Sequence, residues 1–220
     1  MVTIYGVYRS RALRNIWLLE EMGRPFRHVP VIQAYRATTP AADGIALNTR
    51  SPEFLAINPN GLVPCMEDDG VVLNESLAIN LYLARKFGGP LAAQDLAEEG
   101  RVLQWTMWGA TEIEPRSIQI LFNRVQFPPE RRDARKAEEA IAALRAPFAV
   151  LDAALEAGGG HLVGGRFTVA DLNLAEVMRY ALPAPDLFEA APRVKAWLSA
   201  CHARPAWKKV FARREEEPAL

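Results

Sequence analysis

The side chains with chemical potential are easiest to sort by what they fail to assemble. His28, His161 and His202 are the three histidines, and none has a second metal ligand at helical or turn spacing. A zinc or iron site needs clustered ligands, so no metal centre is expected. The glycine-rich stretch GGGHLVGGRF (158–167) lacks the Lys-Ser/Thr of a P-loop and does not fit GxGxxG, so it reads as a connection. No GxSxG elbow is present for a hydrolase. The remaining candidates stand at the ends of elements. Ser10 lies where a strand-like run hands over to a helix, and a hydroxyl there can donate to an anion with help from the helix amides. Tyr5 and Tyr8 are rival donors. Glu75 and Ser76 open a later helix, whose free amides and dipole favour a carboxylate, while Glu75 suits an ammonium. Val63, ahead of Pro64, can offer its backbone as a short added strand.

These residues need a scaffold, and the composition says what kind. The 220 residues carry 26 basic and 26 acidic side chains, half of all residues are hydrophobic, and about a quarter are charged. That is the balance of an ordinary soluble globular chain of one large or two small domains. A disordered regulator needs fewer apolar residues, and a nucleic-acid binder needs a surplus of Lys and Arg. Cys65 and Cys201 are too few for a disulfide framework. No apolar run is long enough for a membrane span, and no signal peptide pattern is seen, so a cytoplasmic location is expected.

The pattern alternates over the first ninety or so residues. Val2 to Tyr8 reads as a strand. Ala12 to Met22 reads as a helix with Leu13, Ile16, Trp17 and Leu19 inward and Arg14, Asn15, Glu20 and Glu21 outward. FRHVPVI (26–32) reads as a second strand and SPEFLAIN (51–58) as a short helix. Val63–Met66 and Val71–Leu73 are strands around an Asp68-Asp69-Gly70 hairpin turn, and Ser76–Phe87 is a helix ended by Gly88-Gly89-Pro90. From Pro90 onward the periodicity is helical: Leu96–Asn123 with a kink at Pro115, Pro129–Ala157, Val169–Leu182, Pro192–Ala203 and Ala206–Arg214. Thr168 and Asp171 spell a capping box, with Phe167 and Leu172 as its staple, so Asp171 is structural.

A strand, helix and strand, then Val-Pro, a hairpin and Glu-Ser opening a helix, resembles the glutathione-binding domain of soluble glutathione transferases. INPNGLVPCMEDDGVVLNESLAINLYLARKFG (57–88), GRFTVADLNLA (165–175) and APRVKAWLSACHARPAW (191–207) carry the resemblance across nearly the whole chain. It implies an α/β thioredoxin-like domain, β-α-β-α-β-β-α, over residues 1–88. An all-helical bundle over residues 89–220 would contribute the site for an electrophile. It implies glutathione as co-substrate, a cis Val63–Pro64 bond and a homodimer; the neutral charge balance and the lack of a long apolar run leave no partner expected among nucleic acids or membranes. The expected function is conjugation of the glutathione thiolate to electrophilic, hydrophobic substrates, as in detoxification. Other glutathione chemistry (isomerisation, peroxide reduction, ether cleavage) and a non-catalytic binding module stay open as alternatives.

Residue by residue, the resemblance to delta, theta and zeta enzymes makes Ser10 catalytic, with Tyr8, Tyr5 or a backbone amide as rivals. Glutathione binding falls to Val63, Pro64, Glu75 and Ser76. Its glycine carboxylate falls to Asn48 and Thr49, with Arg50 and Arg36 as further candidates in the long stretch Gln33–Arg50. A cysteine-type enzyme would need a thiol near position 10, where Arg11 and Ala12 offer none. Cys65 reads as a buried apolar residue. Trp105, Trp108 and Glu112, at i, i+3 and i+7, are expected on one helix face; Trp108 and Glu112 are candidate contacts to the second substrate.

Overall fold

The structure is a computed structural model and describes residues 1–36 and 47–217. The chain divides into two units: Met1–Phe87 together with the residues from Arg204 onward, and Gly88–Ala203.

In the first unit, β1 (Thr3–Tyr5) leads to α1 (Ala12–Glu21) and then to β2 (Arg27–Val29), which runs parallel to β1. A short β3 (Val31–Ile32) pairs in parallel with β4 (Leu47–Asn48), ahead of α2 (Pro52–Ile57). The hairpin β5 (Cys65–Asp68) and β6 (Val71–Asn74) follows, then α3 (Ser76–Phe87). The sheet order is β2-β1-β5-β6, with β5 antiparallel to both β1 and β6. Asp69 (φ 50°) and Gly70 (φ 85°) make the two-residue turn with both central residues left-handed, whose twist suits a tight hairpin. The expected single strand over 26–32 is split at Pro30. Proline has no N–H for the ladder, and the chain changes partners there, from β1 to β4.

The second unit is helical: α4 (Leu96–Trp108), α5 (Glu114–Leu121), α6 (Ala134–Ala157), α7 (Val169–Met178), α8 (Pro185–Glu189) and α9 (Pro192–Ala203). All ten residues of α7 are buried. The expected continuous helix over Leu96–Asn123 is interrupted by a π-helical turn at Gly109–Ile113. Pro115 cannot donate to the preceding turn, and the hydrogen bonding slips by one residue to accommodate it. A second π turn spans Phe122–Gln126. The capping box is present, with the Thr168 N–H donating to Asp171 Oδ2 at 2.9 Å.

The last helix, α10 (Pro205–Glu216), belongs to the first unit and packs on α1. Trp207 meets Trp17 edge-on at 4.8 Å, and Arg204 grips Glu21 through two 2.8 Å bonds. With α3 also packed on it, α1 is buried from Ala12 through Leu19. Arg14 and Asn15 are therefore inside, not on the outward face their polarity suggests; each is bonded to α3. The architecture is thus a thioredoxin-like α/β domain followed by an all-helical one.

Candidate functional site

The register of the sheet gathers the site. Tyr5 lies opposite Cys65, and Cys65 lies opposite Asn74. One step beyond that row stand Gly6, Pro64 and Glu75, so three loops leave the sheet at the same end. They carry Ser10, Val63 and Ser76.

Ser10 sits in the β1–α1 loop. Its hydroxyl donates to the Val7 carbonyl at 2.7 Å and accepts from the Ala12 N–H at 3.1 Å. The second bond satisfies one of the amides that a helix start leaves unpaired. Gly6 (φ 140°) lets the loop pass closely: a Cβ there would lie 2.7 Å from Ala12 Cβ, 3.3 Å from Ser10 Oγ and 3.4 Å from Val63 Cβ. Ser10 and Val63 thus flank the same glycine. The rival phenols are differently engaged. The Tyr5 hydroxyl donates to Glu67 Oε2 at 3.0 Å, and burial followed by that carboxylate pushes its pKa up. The Tyr8 ring meets His28 edge-on at 5.0 Å, and burial raises its pKa too. A phenol held protonated in this way can still donate, but Tyr5 already gives its proton to Glu67.

The Val63–Pro64 peptide is cis. Glu75, exposed, adopts the left-handed conformation (φ 65°), uncommon for a residue with a side chain and frequent at functional turns. Its carbonyl accepts the Ile79 N–H, while Ser76 is buried. Ser76 Oγ accepts from Arg14 Nη1 at 3.1 Å, and its carbonyl accepts from Asn15 Nδ2 at 2.8 Å. Asn15 also donates to Asn80 Oδ1 at 2.7 Å. This buried network ties the start of α3 to the first turns of α1. The sequence reading missed it, because an Arg and an Asn side by side in a helix look like a solvated face. The signal that could have revealed them was the second polar residue, Asn80, one turn beyond Ser76.

Among the other candidates, Asn48 Oδ1 accepts from the Arg50 N–H at 2.8 Å, and buried Thr49 accepts from the Ala34 N–H at 3.0 Å through Oγ1. The Asn48 side chain shapes the turn after β4, and that of Thr49 ties the turn to the residues after β3. Arg36 Nη1 donates to the Arg9 carbonyl at 2.7 Å, beside Ser10. Residues 37–46 of the long stretch Gln33–Arg50 lie outside the described residues. Cys65 is fully buried, and burial pushes its thiol up to about 11, which makes it inert at neutral pH.

In the helical unit, Trp105 and Trp108 meet edge-on at 5.2 Å. Trp108 ends α4 and Glu112 lies within the π turn, where it pairs with Arg116 at 3.2 Å. The i, i+3, i+7 spacing assumes 3.6 residues per turn, so the π turn rotates Glu112 relative to the tryptophans.

The comparisons agree with this frame. The family model for the glutathione S-transferase N-terminal domain matches residues 9–86, and that for the C-terminal domain matches residues 118–205. The chain is 30% identical over 214 residues to glutathione S-transferase GstB of Escherichia coli K12, covering 96% of this chain and 97% of that one. Glutathione transferase F7 of Populus trichocarpa superposes with a TM-score of 0.82 at 28% identity, covering 97% of this chain and 99% of the other. A theta class enzyme of Xanthomonas axonopodis pv. citri, solved with glutathione bound, gives 0.74 at 28% identity over 94% and 95% of the two chains. With both domain models matched in order on the thioredoxin-like and helical units, this chain belongs to the glutathione S-transferase family.

Proposed function

We propose that the chain is a serine-type glutathione transferase that joins the glutathione sulfur to an electrophilic carbon of a hydrophobic substrate. The observation that carries this reading is the convergence of Ser10, Val63 and Glu75-Ser76 at one end of the sheet. The Ser76 amide opens α3 toward the γ-glutamyl carboxylate, and Glu75 faces the neighbouring ammonium. The Val63 backbone pairs with the cysteinyl unit, and Pro64 holds that turn. Asn48 and Thr49 receive the glycine end. Trp108 and Glu112 are assigned to the second substrate.

The chemical problem is the thiol. At a pKa near ~8.5 only a few per cent is thiolate at neutral pH. Lowering it by about two units takes roughly 2.7 kcal/mol of preferential thiolate binding. The Ser10 hydroxyl supplies part of this by turning its hydrogen from the Val7 carbonyl to the sulfur, while the Ala12 N–H continues to donate to Oγ. The thiol proton leaves to solvent. The thiolate then forms the new S–C bond as the electrophile's leaving group departs with its electron pair. We assign the protein to the cytoplasm as a homodimer, in line with its family.

The test pairs two variants. Ser10→Ala is expected to bind glutathione within about twofold of wild type and to lose about 10²-fold in turnover at neutral pH, the size of a lost oxyanion donor. Glu75→Ala is expected to abolish the calorimetric heat of glutathione binding. Unchanged turnover in Ser10→Ala rejects that residue; no glutathione heat in wild type rejects the transferase reading.

A further inference from the structure

The loop that carries Ser10 is held from outside by the far end of the chain. Tyr8 and Arg9 lie between β1 and α1, where neither ladder nor helix employs their amides. One carboxylate takes both: the Tyr8 N–H donates to Glu217 Oε1 at 2.8 Å and the Arg9 N–H to Glu217 Oε2 at 2.7 Å. Arg9 then returns the contact, its Nε donating to the Glu217 carbonyl at 2.7 Å. On its other side the Arg9 carbonyl accepts from Arg36. The residue before Ser10 is thereby fixed at its N–H, its carbonyl and its side chain.

Glu217 is delivered by a braced arm. α10 is fastened to α1 by the Trp17–Trp207 contact, by Arg204 on Glu21, and by Lys209 on Glu20 at 2.7 Å. It ends at Glu216, and Glu217 turns extended (φ −69°, ψ 141°), carrying its carboxylate back to the β1–α1 loop. Hydrogen bonds from backbone amides to an ionised carboxylate are among the stronger ones available to a protein.

We propose that Glu217 is a positioning residue of the transferase site, clamping the Tyr8–Arg9 backbone so that the Ser10 hydroxyl is presented to the glutathione sulfur. The assignment rests on the transferase reading above and adds a residue that none of the sequence motifs includes. It also implies that the Tyr8 and Arg9 amides are not thiolate donors, because the carboxylate already occupies them. A free carboxylate so near a thiolate would oppose its formation; here the two amides face that charge, while the Arg9 guanidinium bonds the Glu217 carbonyl and pairs with Glu215 at 4.0 Å. Among the described residues, the other ionisable groups around the loop include Arg36, Glu215, Tyr8 with His28 behind it, Glu20 of α1, and Lys209 and Arg213 of α10.

The experiment compares wild type with Glu217→Ala and Glu217→Gln. Amide hydrogen exchange at Tyr8 and Arg9 is measured in the full-length protein, together with kcat, KM and the pH profile of bound thiolate absorbance. In Glu217→Ala the two amides are expected to exchange at least about tenfold faster. The bound thiol is expected to titrate about one unit higher, with kcat at neutral pH down about tenfold and recovering in alkali, and KM for glutathione nearly unchanged. Glu217→Gln, which keeps one acceptor and loses the charge, is expected to fall between the two. A purely structural role would lower the melting temperature without moving the pH profile, and that result overturns the proposal. So does a bound thiol that titrates lower in Glu217→Ala, which would mean that the carboxylate opposes the thiolate. A wild-type protein that forms no thiolate with glutathione overturns the transferase reading instead, and unprotected Tyr8 and Arg9 amides in that protein remove the clamp itself.

Discussion

Gly6 shows how narrowly the space around Ser10 is drawn. Its φ of 140° is one that side chains rarely adopt, and a Cβ would press to 2.7 Å from Ala12 Cβ. Neither atom belongs to a flexible side chain that could swing away. Gly6→Ala is expected to destabilise the protein by about 2–4 kcal/mol, from backbone strain and overpacking together, as read by urea unfolding. The position of Ser10 between β1 and α1 was legible in the sequence, because a strand-to-helix junction is a local pattern. Glu217 was not: it lies 208 positions from the Arg9 amide that it accepts from, and nothing local marks it. Arg14 was misread for a related reason. Its fate depends on α3 and α10 covering α1, and helical periodicity reports only which residues share a face.

At the level of elements, the capping box of α7 does more than start a helix. Asp171 Oδ2 accepts the Thr168 N–H, while Oδ1 accepts the Leu162 N–H at 3.1 Å and Trp197 Nε1 at 2.9 Å. One carboxylate therefore joins the glycine-rich connection, α7 and α9, all inside the helical unit. Burial pushes its pKa up, and the hydrogen bonds pull against that shift. A missing cap alone costs about 1 kcal/mol. Asp171→Ala also leaves the indole and the Leu162 amide without an acceptor, so a loss of about 3–5 kcal/mol is expected in urea unfolding. The motif was visible in the sequence; its two distant partners were not. Pro115 makes the complementary point, since the sequence located the disturbance and the fold chose a π turn as its form.

For the whole molecule, acid should act on the helical unit in two stages. His202 is half-buried between the charges of Glu176 and Arg179; desolvation outweighs the pull of Glu176 and lowers its pKa from 6.5 to about 4. An unfolded chain binds that proton from about pH 6.5 downward while the native one refuses it, so stability is full above 6.5 and falls as pH drops toward 4. Glu98 adds a lower window. Two bonds from Arg166 and one from the Gln94 N–H hold its carboxyl down from 4.5 to about 2. Its contribution is present above 4.5 and disappears as pH falls toward 2. Urea midpoints measured across this range should decline in both windows. His202→Gln should reduce the upper decline, and Glu98→Gln the lower one, where Asp152, held down by Arg193 and two backbone amides, keeps a share.

The order of elements, the hairpin turn, the helix starts at Ser76 and Thr168, and the family itself were determined by the sequence. Each depends on residues within a few positions of one another, where dihedral preference, capping and periodicity act directly. Only the tertiary structure decided which polar residues of α1 are buried, which strand partners lie on either side of Pro30, and what holds the loop before Ser10. Those outcomes are contacts between segments remote in the chain, formed when the sheet register and the docking of α10 bring them together. Local composition carries no record of such distances.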